Sequence, residues 1–283
     1  MPVLRVYHHG TTAAAGNMPN PSPPKRGKVI GWSPAAARRN VRFLYGIRAD
    51  ELSGHGFAVT LTLRDCPTSH DEWHALRIAY MHRLRRMGMI RSHWVTEWQR
   101  RGVPHLHLAV WFPDPETSDQ ASAIVAGLTR HWLEAGAADL GSQERGQHVA
   151  RIDGAVGWFQ YVSKHAARGA KHYQRDPEAL PQQWEKTGRL WGHTGDWPRD
   201  DAMKFDVSKP AFFAFRRIVQ RWRLADARSS GDRGRIRAAR RMLQASKRTI
   251  GEVRGVSEWV PMEMQTRIVV HLAAQGHEVD QTD

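Results

Sequence analysis

Between Pro104 and Phe112 the chain reads Pro-His-Leu-His-Leu-Ala-Val-Trp-Phe, with apolar residues recurring at every second position. That period belongs to a β-strand. Leu106, Leu108, Val110 and Phe112 fall on one face, which a folded chain must bury. His105 and His107 fall on the other, spaced so that both imidazoles can reach one divalent metal ion.

The residues just upstream extend the pattern. Ser92–Gln99 reads as a second strand, and Arg100-Arg101-Gly102-Val103-Pro104 is short enough, and has the glycine, to close a hairpin. A hairpin centred on Gly102 sets Glu97 across from His107 and Gln99 across from His105. Glu97, His105 and His107 are therefore the candidate metal ligands. The assignment depends on register, because a slip of one residue sends Glu97 to the other face. In a chain with sixteen histidines a His-x-His pattern carries little weight by itself.

A second stretch adds to it. Gly154–Gly169 reads as a helix ended by its last glycine. Tyr161, Lys164 and Arg168 share one face at i, i+3 and i+7. A phenol is a weak nucleophile at its free pKa of about 10. A neighbouring ammonium favours the phenolate and offsets charge building on a phosphate, so Tyr161 and Lys164 suit phosphodiester transfer. An ordinary amphipathic helix with a tyrosine at the edge of the core gives the same spacing.

Together these stretches resemble the HUH endonuclease superfamily, and within it the rolling-circle replication initiators of phages and plasmids. Three motifs stand in the family's order: Phe57-Ala58-Val59-Thr60-Leu61-Thr62-Leu63, Pro104-His105-Leu106-His107-Leu108 and Tyr161-Val162-Ser163-Lys164. Glu97 matches the acidic third ligand of relatives. Gly188-Arg189-Leu190-Trp191-Gly192 is similar to a segment that follows the tyrosine helix in filamentous-phage initiators. Only one tyrosine fits, since Tyr173 has no lysine three residues on. The resemblance implies an α+β fold: a central, mainly antiparallel sheet of about five strands flanked by helices. The charge and helix signals of the tail add a basic helical C-terminal extension. It implies a site-specific nickase in which Glu97, His105 and His107 hold Mg²⁺ or Mn²⁺. Tyr161 would attack single-stranded origin DNA, leaving a 5′-phosphotyrosine link and a free 3′-hydroxyl. His148 is the alternative third ligand if the hairpin register differs.

The rest of the chain is read from composition and punctuation. A net charge of +14 points to a polyanionic partner without naming it. The single Cys66 excludes an internal disulfide and fits a structural thiol in a reducing bacterial cytoplasm. No run approaches membrane-spanning length. Residues 1–28, rich in proline toward their end, are expected to be flexible. Residues 29–205 would form the endonuclease domain and 206–283 the basic helical region. Ser33-Pro34 opens a helix to about Ile47, and Ser69-x-x-Glu72 is a capping box for one ending at Gly88.

From Arg216 to Arg248 twelve Lys/Arg face only Asp226 and Asp232. Arg216, Arg217, Arg221, Arg235, Arg237, Arg240 and Arg241 there, with Arg168, are the candidate DNA contacts. No Walker-type phosphate loop occurs, so a helicase, like the polymerase, would come from the host. Two other readings share these features: a single-tyrosine transposase or relaxase, and a nucleic-acid-binding protein without catalysis.

Overall fold

The computed structural model describes residues 1–14, 29–167, 180–181, 183–248 and 255–282. The chain divides into two compact units. One comprises residues 25–44 and 48–198; the other comprises residues 1–24, 45–47 and 199–283. Each contains a five-stranded antiparallel sheet.

The first unit holds the motif strands. Its sheet joins β3 (His55–Thr62), β4 (Arg91–Trp98), β5 (Pro104–Phe112), β6 (His148–Arg151) and β7 (Trp191–Thr194) in the order β6-β3-β5-β4-β7. The alternation seen in the sequence is obeyed. Leu106, Leu108, Val110 and Phe112 join Phe57, Val59 and Leu61 in one buried cluster. Helices α2 (His70–Arg86) and α3 (Ser118–Trp132) close that cluster with Trp73, Tyr80, Leu84, Leu128 and Trp132. Truncating one such Leu to Ala costs about 2–5 kcal/mol, enough to unfold a marginal domain.

Local signals set the helix ends. Ser69 Oγ accepts from Glu72 N at 3.1 Å, as the capping box predicts. The Glu72 carboxylate reaches Thr68 rather than Ser69, accepting from its N–H at 2.6 Å and its hydroxyl at 2.8 Å. Gly88, at φ 98°, ends the helix where expected. The opposite sheet face meets α1 (Pro34–Tyr45) and α4 (Ala155–Ala167). Phe43 of α1 stacks against His93 on β4, and Phe159 of α4 lies 6.4 Å from Trp111 on β5.

The second unit departs from expectation. Val3–Val6 (β1) and Gly10–Ala14 (β2) are strands, not a flexible segment. They pair with β8 (Met203–Val207) and β9 (Val256–Trp259), and β10 (Val279–Thr282) completes the order β10-β8-β1-β2-β9. The C-terminal region is thus helices plus three strands rather than helices alone. The physical reason is burial: Leu4, Ala13 and Val207 find a common core with Phe212, Phe215 and Val219 of α5 (Lys209–Ser229) and Ile268 and Leu272 of α7 (Met262–Ala274). Gly10 is required by close approach, since a Cβ there would lie 2.2 Å from the Tyr45 ring. The basic α6 (Arg233–Arg248) packs on α5, its first turn capped by Asp232, whose Oδ1 accepts from Gly234 N at 2.6 Å. The Pro-rich run 17–24 lies outside the described residues.

Candidate active site

The hairpin between β4 and β5 determines which groups meet. Gly102 N donates to Gln99 O, and Gln99 N to Val103 O, so the loop is Arg100-Arg101-Gly102 with Gly102 at φ 78°. A three-residue loop with glycine in the left-handed region is a favoured hairpin closure. It centres the hairpin on Arg101 rather than Gly102. The observed register is therefore Glu97 opposite His105 and Val95 opposite His107, two residues from the expected one. A shift of two preserves the face, so the acid and both histidines still converge.

Glu97 is fully buried and His107 is 4% exposed. Glu97 Oε2 lies 3.5 Å from His107 Nε2, and the two imidazole rings are 4.5 Å apart at 77°. One ligand atom from each of Glu97, His105 and His107 falls within 4.8 Å of the others. Around an ion with bonds of about 2.1 Å, neighbouring donors sit roughly 3.0 Å apart and opposite donors about 4.2 Å apart. Side-chain adjustments of a few tenths of an ångström would bring the three into that range. Two imidazoles with one carboxylate suit Mn²⁺, and Mg²⁺ less closely because it favours oxygen. His148, on β6 opposite Thr60, is exposed and stays outside the cluster.

Thr60 belongs to the site through His107. Its Oγ1 lies 3.1 Å from His107 Nδ1, which leaves His107 Nε2 aimed at the carboxylate. The signal was present, because strand period puts Thr60 and Thr62 on the histidine face. Tyr161 stands on α4 with its ring 6.0 Å from that of His107 at 84°. It is 43% exposed. Trp158, one helical turn earlier, stacks on it at 5.4 Å and 28°. The i, i+3 spacing makes that contact legible in sequence, yet Trp158 was not singled out. Lys164 lies in α4 by its backbone, but its side chain, like all of Arg168, is outside the described residues.

Beside the site His93 is 1% exposed and hydrogen-bonded through Nε2 to Asn40 Oδ1 at 2.7 Å. Burial, helped by the nearby His193, pushes its pKa down to about 3. Burial raises the Cys66 thiol to about 11, which disfavours the thiolate and suits a structural role.

Among the candidate DNA contacts of the second unit, Arg216 is corrected. It is 7% exposed, because it falls on the apolar stripe of α5 between Phe212 and Val219. Arg217 and Arg221 are exposed on α5. On α6 Arg237, Arg240 and Arg241 are exposed, and Arg235 pairs with Asp226 at 2.5 Å.

Comparison with known proteins decides the family. Residues 56–168, from β3 through the tyrosine helix, match the replication-associated protein ORF2/G2P family. The replication-associated protein G2P of Pseudomonas phage Pf3 is 46% identical over 283 residues, covering 98% of this chain and 99% of its own. The chain belongs to the ORF2/G2P family. A Xylella fastidiosa (strain 9a5c) protein named for replication is 50% identical over 99% of both chains. A second, from strain Temecula1, is 51% identical over 92% of this chain. No solved structure matches the chain. ORF2/G2P membership makes this a replication initiator of the filamentous-phage kind, and a protein that binds DNA. Among the described residues no helix is long and apolar enough to cross a membrane.

Proposed function

We propose that this initiator starts rolling-circle replication by nicking single-stranded origin DNA with Tyr161. The observation that carries the reading is the exposed Tyr161 ring 6.0 Å from His107, itself in contact with Glu97. Glu97, His105 and His107 would hold Mg²⁺ or Mn²⁺, which when bound polarises the scissile phosphate. Tyr161 Oη attacks phosphorus; the Oη–P bond forms, the P–O3′ bond breaks, and the 3′ oxygen takes up a proton. The products are a 5′-phosphotyrosine link and a 3′-hydroxyl able to prime synthesis. Because the link keeps an ester bond, a later 3′-hydroxyl can reverse the step and rejoin the strand. Lys164 offsets charge on the phosphate. Trp158 fixes the plane of the Tyr161 ring by stacking.

The exposed arginines of α5 and α6 bind duplex DNA near the origin through phosphates. Unwinding and synthesis then fall to a host helicase and polymerase in the bacterial cytoplasm. The full-length likeness to a phage replication protein favours this reading over a transposase or relaxase.

The test uses Mn²⁺ and labelled single-stranded DNA carrying the hairpin origin of the protein's own replicon, resolved on a denaturing gel. The expected result is a protein-linked DNA band from wild type and none from Tyr161→Phe. DNA shifted on a native gel, without a covalent band from wild type, would leave a binding protein and no nickase.

A further inference from the structure

A second cleft opens next to the histidines, at the end of β3. Its volume is about 380 Å³, and its lining includes Thr62, Arg64, Arg101, Ser142, Arg145 and Gln147. Three arginines line it and no carboxylate does. Arg101 is held by hydrogen bonds from its guanidinium to the backbone oxygens of Leu63 and Arg64, and from Nε to Gln99 Oε1 at 2.8 Å. The facing loop is fastened by Gln147, whose Oε1 accepts from Thr62 N at 2.7 Å and whose Nε2 donates to Ser142 Oγ at 2.9 Å. Arg64 and Arg145 are exposed. The cleft is thus a braced frame presenting guanidinium groups, which match phosphate in geometry and charge.

Its position gives it a direction. Thr62 pairs with His105, whereas the Tyr161 ring lies against His107, whose partner is Thr60. Tyr161 and the cleft therefore flank the two histidines from opposite ends along the strands. Displacement at phosphorus runs in line, so O3′ departs on the side away from the attacking oxygen. We infer that this cleft binds the single strand on the 5′ side of the nick, the segment that ends in the new 3′-hydroxyl. The inference rests on the nicking reading above. On this assignment Arg64 and Arg145 contact backbone phosphates upstream of the nick, while the downstream strand stays tethered to Tyr161. Retaining the upstream end keeps its hydroxyl near the phosphotyrosine until a polymerase takes it.

The nick is first mapped with wild type, Mn²⁺ and the origin strand. Two half-strands are then made, an upstream half ending in a 3′-hydroxyl and a downstream half beginning with a 5′-phosphate. Fluorescence anisotropy compares wild type with the double variant Arg64→Ala/Arg145→Ala. Expected is a roughly tenfold weaker hold on the upstream half and a log–log salt slope shallower by about 1.4, with the downstream half changed by less than about twofold. Arg64→Lys/Arg145→Lys keeps the charges and restores most of the upstream affinity, which a folding defect would not allow. Equal losses on both halves, a loss confined to the downstream half, or no loss would overturn the cleft assignment. If wild type forms no covalent adduct, the nicking reading itself fails and this inference with it. An adduct with unchanged upstream affinity in the alanine variant overturns the cleft alone.

Discussion

Thr60 Oγ1 lies 3.1 Å from His107 Nδ1, and the far nitrogen of the same ring lies 3.5 Å from Glu97. The hydroxyl thereby sets which nitrogen of His107 faces the acid. Outer partners of this kind typically contribute 10–100-fold to metal affinity. Thr60→Val keeps the shape and β-propensity and removes the hydrogen bond. We expect Mn²⁺ affinity, read by calorimetry, to fall by roughly that factor with single-stranded DNA binding intact. Unchanged affinity would mean that the ring is oriented by packing alone.

His105→Ala and His107→Ala each remove one nitrogen donor from the cluster. Both variants are expected to lose covalent adduct formation, as wild type should in excess EDTA, while still shifting duplex DNA on a native gel. Cleavage persisting in both would refute the ligand assignment.

His93 makes stability depend on pH. Burial holds its folded pKa at about 3, whereas in the unfolded chain it is about 6.5. Below about pH 6.5 the unfolded chain therefore binds a proton that the folded chain refuses. This contribution is whole above that pH and is lost as pH falls, by up to about 1.4 kcal/mol per unit. His93→Gln can still meet Asn40 but does not titrate. Urea midpoints at pH 7.5, 6 and 5 should fall less steeply for the variant; parallel slopes would show that His93 is not the titrating group.

Gly102 adopts φ 78° at the hairpin tip. Gly102→Ala forces a Cβ into the left-handed region at a cost of about 1–2 kcal/mol. Thermal unfolding should report that loss, and adduct formation should drop further than stability if the turn sets the Glu97–His105 register.

Arg237 and Arg241 lie one turn apart on the exposed face of α6. Replacing both with Ala should weaken duplex binding and lower the magnitude of its salt slope by about 0.9 per lost phosphate contact. An unaltered slope would remove α6 from the DNA interface.

The site was legible because strand parity is robust. His105, His107 and Glu97 were placed on one face by a period of two, and the two-residue error in register could not change that. The error came from the turn: Gly102 was taken as the centre, whereas its left-handed conformation puts it last in the loop. The sheet of the first unit was legible for the same reason, its central strands being eight and nine residues long, with apolar residues at alternate positions in β3 and β5. The second sheet was not. Its strands are four or five residues long, and β1 finds its partner β8 across most of the sequence. Short strands carry too few alternations to stand out, and nothing local announces so distant a pairing. Arg216 was misread by charge although helix spacing already placed it beside Phe212 and Val219.

Strand β1 is the middle strand of the second sheet, between β8 and β2. During synthesis Val3 leaves the ribosome early and must wait for Asp206 before that sheet can close. The unit carrying Glu97, His105 and His107 can gain its own core in the meantime. A fragment starting at residue 206 would carry the basic helices with β9 and β10 but lack β1, β2 and most of β8. The basic helices α5 and α6 are therefore bound to a core that the N-terminal strands help to build, and they are not a simple C-terminal tail.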